Sequence, residues 1–187
     1  MITPEKLLES AKELETQLRT WRRTLHRHPE VGFDLPETKA LVKKALTEMG
    51  YAPQDCGKCG VLALAGGKRP GKTILLRGDM DALPIQEESG EEFASEVPGR
   101  MHGCGHDMHT AIAAGIACEL NRVKDRLNCN ILVLFQPAEE ANPVGGARPV
   151  TEAGFLTDQH IDEMYGLHMW PSLPVGDIEL RPGPIMA

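Results

Sequence analysis

The segment NILVLFQ at residues 130–136 is apolar at five consecutive positions, which most constrains how this chain can fold. A strand with this pattern is covered on both faces of its sheet. Further strands are predicted at residues 61–65, 73–76 and 163–168, whereas residues 3–28 and 36–49 repeat apolar side chains at helical spacing. Small residues over 109–120 indicate a further helix. The alternation predicts an α/β domain with a mainly parallel or mixed sheet flanked by helices.

The connections between these elements yield more local predictions. A Gly/Pro/Lys turn separates the runs 61–65 and 73–76, which favours a hairpin between them. Residues 86–99 are polar and predict a loop, and residues 145–154 predict a loop leading into a short helix. The tail from residue 173 is typical of a strand that starts and is then lost among prolines.

Composition limits the classes of function. The chain has 187 residues, the size of one ordinary domain, and its net charge of −7 argues against a nucleic-acid surface. No apolar run approaches the roughly 18 residues that a membrane helix needs, and the first residues lack a signal-peptide layout. A cytoplasmic protein is therefore expected. Five cysteines without secretion signals predict reduced thiols rather than a disulfide framework.

Side chains with metal-binding or acid–base chemistry follow the predicted strands. Ligands in open α/β sheets bind beyond the carboxyl ends of the strands, so these side chains are expected at one edge. Hydrolytic metal sites need several nitrogen, oxygen and sulfur ligands from separate segments. The candidates are Asp79 and Asp81 after the run 73–76, Glu139 and Glu140 after 130–136, His168 after 163–167, and Cys104 and His106 in GRMHGCGHDMHT at 99–110.

The spacing of two pairs adds detail. Cys104 and His106 are two residues apart, so in an extended chain their side chains point the same way, and the flanking glycines allow close approach of the backbone. Glu139 and Glu140 are adjacent and would point to opposite sides of an extended chain. One could then hold metal while the other moves the proton of an attacking water.

Two other interpretations compete with this site. A Cys104 nucleophile could use His102, His106 or His109 as its base, but the downstream glutamates would then have no use. A non-catalytic metal-binding or assembly module would keep the ligands without a general base.

Two further motifs receive structural interpretations. CGKC at 56–59 lacks the second cysteine pair of a zinc ribbon and favours a turn. His26, His28 and Glu30 lie at a helix end and are interpreted as structural or as part of the substrate rim.

Six motifs in order resemble the N-terminal part of the metal-dependent amidohydrolase and aminoacylase family. They belong to the hippurate hydrolase and auxin-conjugate hydrolase branch of the aminoacylase/carboxypeptidase clan. The resemblance covers residues 21–187. The motifs are RRTLHRHPEVGF, LLRGDMDALPI, GRMHGCGHDMHTA, LFQPAEE with GGA, AGF, and YGLHMWPSLPVG.

The resemblance implies a site and a reaction. It implies two divalent ions (Mn²⁺, Zn²⁺, Co²⁺ or Ni²⁺), with Cys104 as the bridging ligand and His106, Glu140 and His168 as further ligands. Glu139 matches the general base that activates a metal-bound water for hydrolysis of an N-acyl amino acid. Asp79 matches an aspartate that orients a metal-binding histidine in relatives with His-x-Asp, and Arg77 stands at that histidine's position. His102 and His109 receive no ligand role.

The resemblance also predicts how the domain is divided. Residues 1–187 are expected to form the N-terminal portion of a catalytic metal-binding domain. The lid and dimerisation domain, and the return of the chain with a last metal-binding histidine, would be absent. We expect weak or absent activity from these residues alone, self-association through open sheet edges, and a homo-oligomeric parent protein.

Overall fold

A computed structural model describes residues 3–66, 71–141, 143–154 and 156–183 and contains a five-stranded sheet flanked by helices. The helices are α1 (Pro4–Glu13), α2 (Glu15–Arg27), α3 (Pro36–Glu48), α4 (His106–Val123) and α5 (Ala147–Glu152), and a short 3₁₀ helix spans Lys124–Arg126. The strands are β1 (Gln54–Cys56), β2 (Gly60–Ala65), β3 (Thr73–Asp79), β4 (Asn130–Gln136) and β5 (Glu163–Gly166).

The strand order is β1-β2-β4-β3-β5, and the sheet is mixed, as predicted. β4 runs antiparallel to β2 and parallel to β3, whereas β5 runs parallel to β3 at the edge. The predicted hairpin between residues 61–65 and 73–76 is wrong, because β4 lies between β2 and β3. The continuous apolar run of β4 explains this position, since a central strand is covered on both faces and paired at both edges. Residues 67–70 of the predicted turn lie outside the described residues.

The sheet divides the buried apolar residues into two layers. One layer packs α3 and α4 against the sheet through residues such as Val42, Leu46, Ala113 and Phe135. On the opposite face, Leu75, Leu132 and Leu134 pack with Val150 of α5. Strand β4 therefore contributes apolar side chains to both layers, as its continuous apolar run predicts.

The helices differ from the predictions at their ends. The predicted helix 3–28 is divided at Leu14, whose amide donates to the carbonyl of Ala11 at 3.0 Å in a tighter turn. The apolar stripe continues across this division, so its periodicity does not reveal it. Thr3 caps α1 as predicted, with its Oγ1 accepting from the Lys6 amide at 3.4 Å.

Helix α4 begins at His106, three residues earlier than predicted. Gly105 precedes it in the left-handed conformation, with φ of 82°, which glycine adopts without a steric cost. The predicted extended arrangement of Cys104 and His106 is therefore wrong: Cys104 lies in the turn before the helix and His106 in its first turn.

The turn interpretation of CGKC is confirmed. Cys56 ends β1, Cys59 lies in the turn before β2, and both cysteines are free and buried. Cys56 packs in the layer that contains α5, and Cys59 packs in the layer that contains α3 and α4. The two thiols therefore belong to opposite faces of the sheet and share no site.

The last described segment carries little regular structure. Residues 171–183 are almost entirely exposed and contain no strand, so the strand predicted in the tail is wrong over its described part. Residues 184–187 lie outside the described residues. Among the described helices, none combines the length and the apolar character needed to cross a membrane.

Candidate metal centre

Five side chains from three segments meet beyond the carboxyl ends of β3, β4 and β5. Three donor atoms of Cys104, His106 and His168 lie within 4.8 Å of one another, and donor atoms of His106, Glu139 and Glu140 do the same. His106 belongs to both groups, so the five side chains form one cluster. These are the four predicted ligands and the predicted general base, and the fold brings all of them together.

His106 lies at the centre of the cluster and is fully buried. Its Nδ1 donates to the backbone carbonyl of Asp81 at 2.8 Å, which leaves the buried Nε2 with a free lone pair and no hydrogen-bond partner among the described residues. Nε2 lies 3.8 Å from Glu139 Oε2 and 3.9 Å from Glu140 Oε1. Burial alone would lower the pKa of His106, but the hydrogen bond to Asp81 and the surrounding carboxylates raise the pKa above its usual value.

Cys104 and His168 form the outer side of the cluster. The Cys104 Sγ lies 3.4 Å from His168 Nε2, and His168 Nδ1 donates to the carbonyl of Met169 at 2.7 Å. The second contact places the proton on Nδ1 and directs the Nε2 lone pair at the cluster. Burial, followed by the neighbouring Glu140 and Glu139 carboxylates, raises the pKa of the Cys104 thiol to about 12. A cysteine nucleophile needs the opposite shift, which argues against that alternative.

Glu139 and Glu140 lie in a turn after β4 rather than in an extended chain. The predicted arrangement on opposite sides is wrong, because both carboxylates approach His106. Ala138 enters the turn at a φ of 53°, a rare conformation for a residue with a side chain. The Glu139 side chain is 42% exposed and the Glu140 side chain 26%, so Glu139 is the carboxylate more open to a substrate.

Asp81 holds this turn in place. Its buried carboxylate accepts from the Glu139 amide at 2.8 Å through Oδ1 and from the Glu140 amide at 3.0 Å through Oδ2. Its carbonyl also binds His106, so one residue positions three members of the cluster. Asp81 is among the candidates predicted from the sequence, but the sequence indicated no role for it. The signal in the sequence that pointed to Asp81 was its position just after a buried strand.

Asp79 orients a histidine, although not the one that the resemblance implied. Its Oδ1 accepts from His109 Nδ1 at 2.6 Å, and its Oδ2 lies 2.6 Å from Arg77 Nη1 and 3.7 Å from His106 Nε2. Burial would raise the pKa of Asp79, but the hydrogen bond from His109 and the charges of His106 and Arg77 lower the pKa to about 2. Asp79 therefore remains a carboxylate next to the cluster.

The motif HRHPE lies behind the cluster and is structural. His26 is buried, and its two ring nitrogens donate to Asp107 Oδ2 at 2.8 Å and Glu87 Oε1 at 3.2 Å. Glu30 accepts from the amides of Glu37 and Thr38 at the start of α3. His28 is the C-cap residue of α2.

His102 is buried without a hydrogen-bond partner at either ring nitrogen. Burial lowers its pKa to about 4, which keeps the ring neutral at physiological pH. This environment gives His102 none of the proton affinity that a general base for Cys104 would need.

The cluster fits divalent metal ions. One thiol, two imidazoles and two carboxylates form a donor set suited to transition-metal dications, and the buried Nε2 of His106 has no protein partner to satisfy it. Carbonyl groups hold the other ring nitrogens of His106 and His168, as is usual for metal-binding histidines. Fold and site together define an α/β domain with a metal-binding centre at the carboxyl edge of a mixed sheet.

Comparisons with known proteins agree with this class. The model for peptidase family M20/M25/M40 matches residues 75–184, and the chain belongs to this family. It is 42% identical over 186 residues to thermostable carboxypeptidase 2 of Saccharolobus solfataricus, covering 98% of this chain and 47% of that protein. It is 41% identical over 187 residues to the N-acyl-L-amino acid amidohydrolase of Geobacillus stearothermophilus, covering 100% of this chain and 50% of that protein.

A solved structure matches the fold. The Bacillus subtilis YXEP protein, described as a dinuclear metal binding peptidase from the M20 family, superposes with a TM-score of 0.86 at 43% identity. The match covers 92% of this chain and 48% of the YXEP chain. The chain thus spans about half the length of the curated relatives and solved structure that it matches.

Proposed function

We propose that the protein carrying this chain hydrolyses the amide bond of N-acyl amino acids with the help of two divalent metal ions. The observation that carries the proposal is the buried, unpartnered Nε2 of His106, which faces two carboxylates and shares its surroundings with Cys104 and His168. Family membership and the amidohydrolase name of a relative at 41% identity support the reaction class.

The residues that would hold the ions are Cys104, His106, Glu140 and His168. Bound divalent ions would lower the pKa of water and polarise the substrate carbonyl. Mn²⁺, Zn²⁺, Co²⁺ and Ni²⁺ all accept such a mixed set of sulfur, nitrogen and oxygen donors. The dinuclear description of the YXEP protein supports two ions.

Glu139 is the proposed general base. It is the more exposed of the two glutamates, and the contact of its amide with Asp81 fixes its backbone at the edge of the cluster. Its carboxylate takes a proton from the attacking water and delivers that proton to the leaving amine when the amide bond breaks. The neighbouring Glu140 side chain is less exposed, at 26%, and is the proposed metal ligand of the pair.

The name of the Saccharolobus relative supports peptides with a free carboxyl terminus as a second substrate class. Both classes present an amide next to an amino-acid carboxylate, so the same centre could act on either. We also propose a homo-oligomeric protein in the cytoplasm. The expectation that residues 1–187 form one portion of a longer catalytic domain stays a prediction, and so does weak activity of these residues alone.

The experiment is a comparison of Glu139→Gln with Glu9→Gln, which changes an exposed glutamate in α1. Both variants are made in the full-length protein that carries this chain. Turnover of N-acetylmethionine and N-benzoylglycine is followed after loading with Mn²⁺ or Co²⁺, and bound metal is measured by elemental analysis. We expect Glu139→Gln to lower kcat by about 10²–10⁴-fold while the metal content stays unchanged, and Glu9→Gln to change neither.

Other outcomes select the alternatives. Metal binding without turnover in the unaltered full-length protein would indicate a binding module. Chelator-resistant activity that is abolished by thiol alkylation would indicate a Cys104 nucleophile. Turnover of carboxyl-terminal dipeptides in preference to both N-acyl substrates would select the peptidase.

A further inference from the structure

We propose that His109 is a positioning residue that holds His168 against Cys104 by accepting a hydrogen bond from the backbone amide of Met169. This inference rests on the proposed metal centre, because its consequence is the placement of one of the proposed ligands. The resemblance implied no ligand role for His109.

His168 needs an anchor other than the sheet. β5 has four residues and, among the described strands, pairs with β3 alone; its last pair joins Gly166 to Arg77. His168 lies two residues beyond that pair and is exposed. The hydrogen bonds of β5 therefore end before the residue whose position matters.

His109 supplies the missing contact. Its Nε2 accepts from the Met169 amide at 2.8 Å, and this requires a lone pair on Nε2. The proton of the ring is therefore on Nδ1, which donates to Asp79 Oδ1 at 2.6 Å. Asp79 is the last residue of β3 and is held by Arg77, so the contacts connect β3 through α4 to the segment after β5.

The same contacts exclude His109 as a ligand. Asp79, His106 and His109 have donor atoms within 4.8 Å of one another and could be mistaken for a metal-binding triad. Both ring nitrogens of His109 are already used, whereas Nε2 of His106 is free. The two histidines of α4 therefore have different roles. His106 is a proposed ligand, whereas His109 positions the proposed ligand His168 through the backbone of Met169.

The side chain of Met169 completes the anchor. A Cβ added at Gly105 would lie 3.2 Å from the Cβ of Met169, so Met169 packs directly on the glycine between Cys104 and His106. With its backbone held by His109 and its side chain by Gly105, Met169 leaves its neighbour His168 little freedom. The His168 ring then meets the His109 ring edge-on, with 4.7 Å between centroids.

The test compares two substitutions by residues with amide side chains, each of which keeps one of the two hydrogen bonds of His109. In His109→Gln the side-chain oxygen can reach the position of Nε2 and accept from Met169, whereas in His109→Asn the amide nitrogen can replace Nδ1 and donate to Asp79 only. Loss of a hydrogen bond behind a ligand costs about 10–100-fold in metal affinity. We expect His109→Asn to lower Co²⁺ affinity by about this factor and His109→Gln to stay within about threefold.

The readouts separate positioning from a general loss of structure. Co²⁺ is titrated into the 187-residue chain, and binding is followed by the thiolate-to-cobalt absorption band and the ligand-field spectrum. Each variant is repeated in a His168→Ala background, where the effect of His109→Asn should vanish because its target is gone. Thermal unfolding of the metal-free variants is the control for folding.

Three results would overturn the proposal. Equal Co²⁺ affinities of the Asn and Gln variants would contradict it, and so would an undiminished effect of His109→Asn in the His168→Ala background. A third readout does not depend on metal: in chain labelled with ¹⁵N-methionine, the Met169 amide resonance should move in His109→Asn and stay close to its original position in His109→Gln. If the unaltered chain bound no Co²⁺, the proposed function would fail, and an unmoved Met169 resonance in His109→Asn would refute the positioning role separately.

Discussion

Replacement of Asp81 by asparagine tests the physical basis of the centre. Asp81 is 1% exposed, and each carboxylate oxygen accepts one backbone amide, from Glu139 at 2.8 Å and from Glu140 at 3.0 Å. Asparagine has nearly the same shape but only one acceptor oxygen, so its NH₂ group would face one of the two amide donors. The substitution therefore breaks one contact and removes the charge from the other.

The magnitude follows from these two contacts. A hydrogen bond to a charged group contributes about 1.5–3 kcal/mol, and a neutral acceptor gives roughly half the strength of a charged one. Together these terms predict that Asp81→Asn lowers the free energy of unfolding by about 3 kcal/mol. For a chain of this length a loss of that size lowers Tm by about 6–12 °C.

The assay is thermal and urea unfolding of the metal-free chain, with Asp158→Asn at an exposed aspartate as the matched control. The control should remain within about 0.5 kcal/mol of the unaltered chain. The same variant should bind Co²⁺ more weakly, because the turn that carries Glu139 and Glu140 loses its anchor. Equal stabilities of the two asparagine variants would refute the reasoning that Asp81 holds this turn.

Two further perturbations follow from the packing and the charges. Gly146→Ala should lower the free energy of unfolding by about 3 kcal/mol, because the added Cβ would lie 1.6 Å from the Pro137 carbonyl oxygen. Gly154→Ala is the control, since Gly154 has a φ of 80° but open space around it, and it should lower the free energy by only about 1–2 kcal/mol. Both are measured by urea unfolding. Equal losses would show that the clash is relieved. The hydrogen bond to Asp107 raises the pKa of His26 above 6.5, so its stabilisation is complete below pH 6.5 and is lost as pH rises through the folded-state pKa. The stability difference between the unaltered chain and His26→Gln should therefore shrink from pH 6 to pH 9, and a difference that grows with pH would contradict the assignment.

Much of the fold was accessible from local patterns. Local sequence patterns correctly predicted strand β4, helix α3 and the loop at residues 86–99. They could do so because burial and periodicity are properties of residues that are neighbours in sequence. The pairing of the strands was not local. β2 ends at Ala65 and β3 begins at Thr73, close in sequence, yet β4 lies between them in the sheet. The buried β4 pairs with a strand at both of its edges.

The candidate centre divides in the same way. The types of Cys104, His106, Glu139, Glu140 and His168 and their places after strands predicted a shared edge, and the fold brings them together. Their local geometry was predicted wrongly. Gly105 starts α4 early and moves His106 into the helix, and the turn after Ala138 directs both glutamates toward it.

The sequence by itself determined which donor atoms are present and that they follow the strands of an α/β sheet, because residue type and hydrophobic spacing are written along the chain. Only the tertiary structure decided which nitrogen of which histidine is free. His106 and His109 are both buried in the first turn of α4, yet a carbonyl from Asp81 leaves Nε2 of His106 open, and Asp79 and Met169 occupy both nitrogens of His109. That distinction depends on hydrogen-bond partners distant in sequence, and periodicity carries no information about such partners.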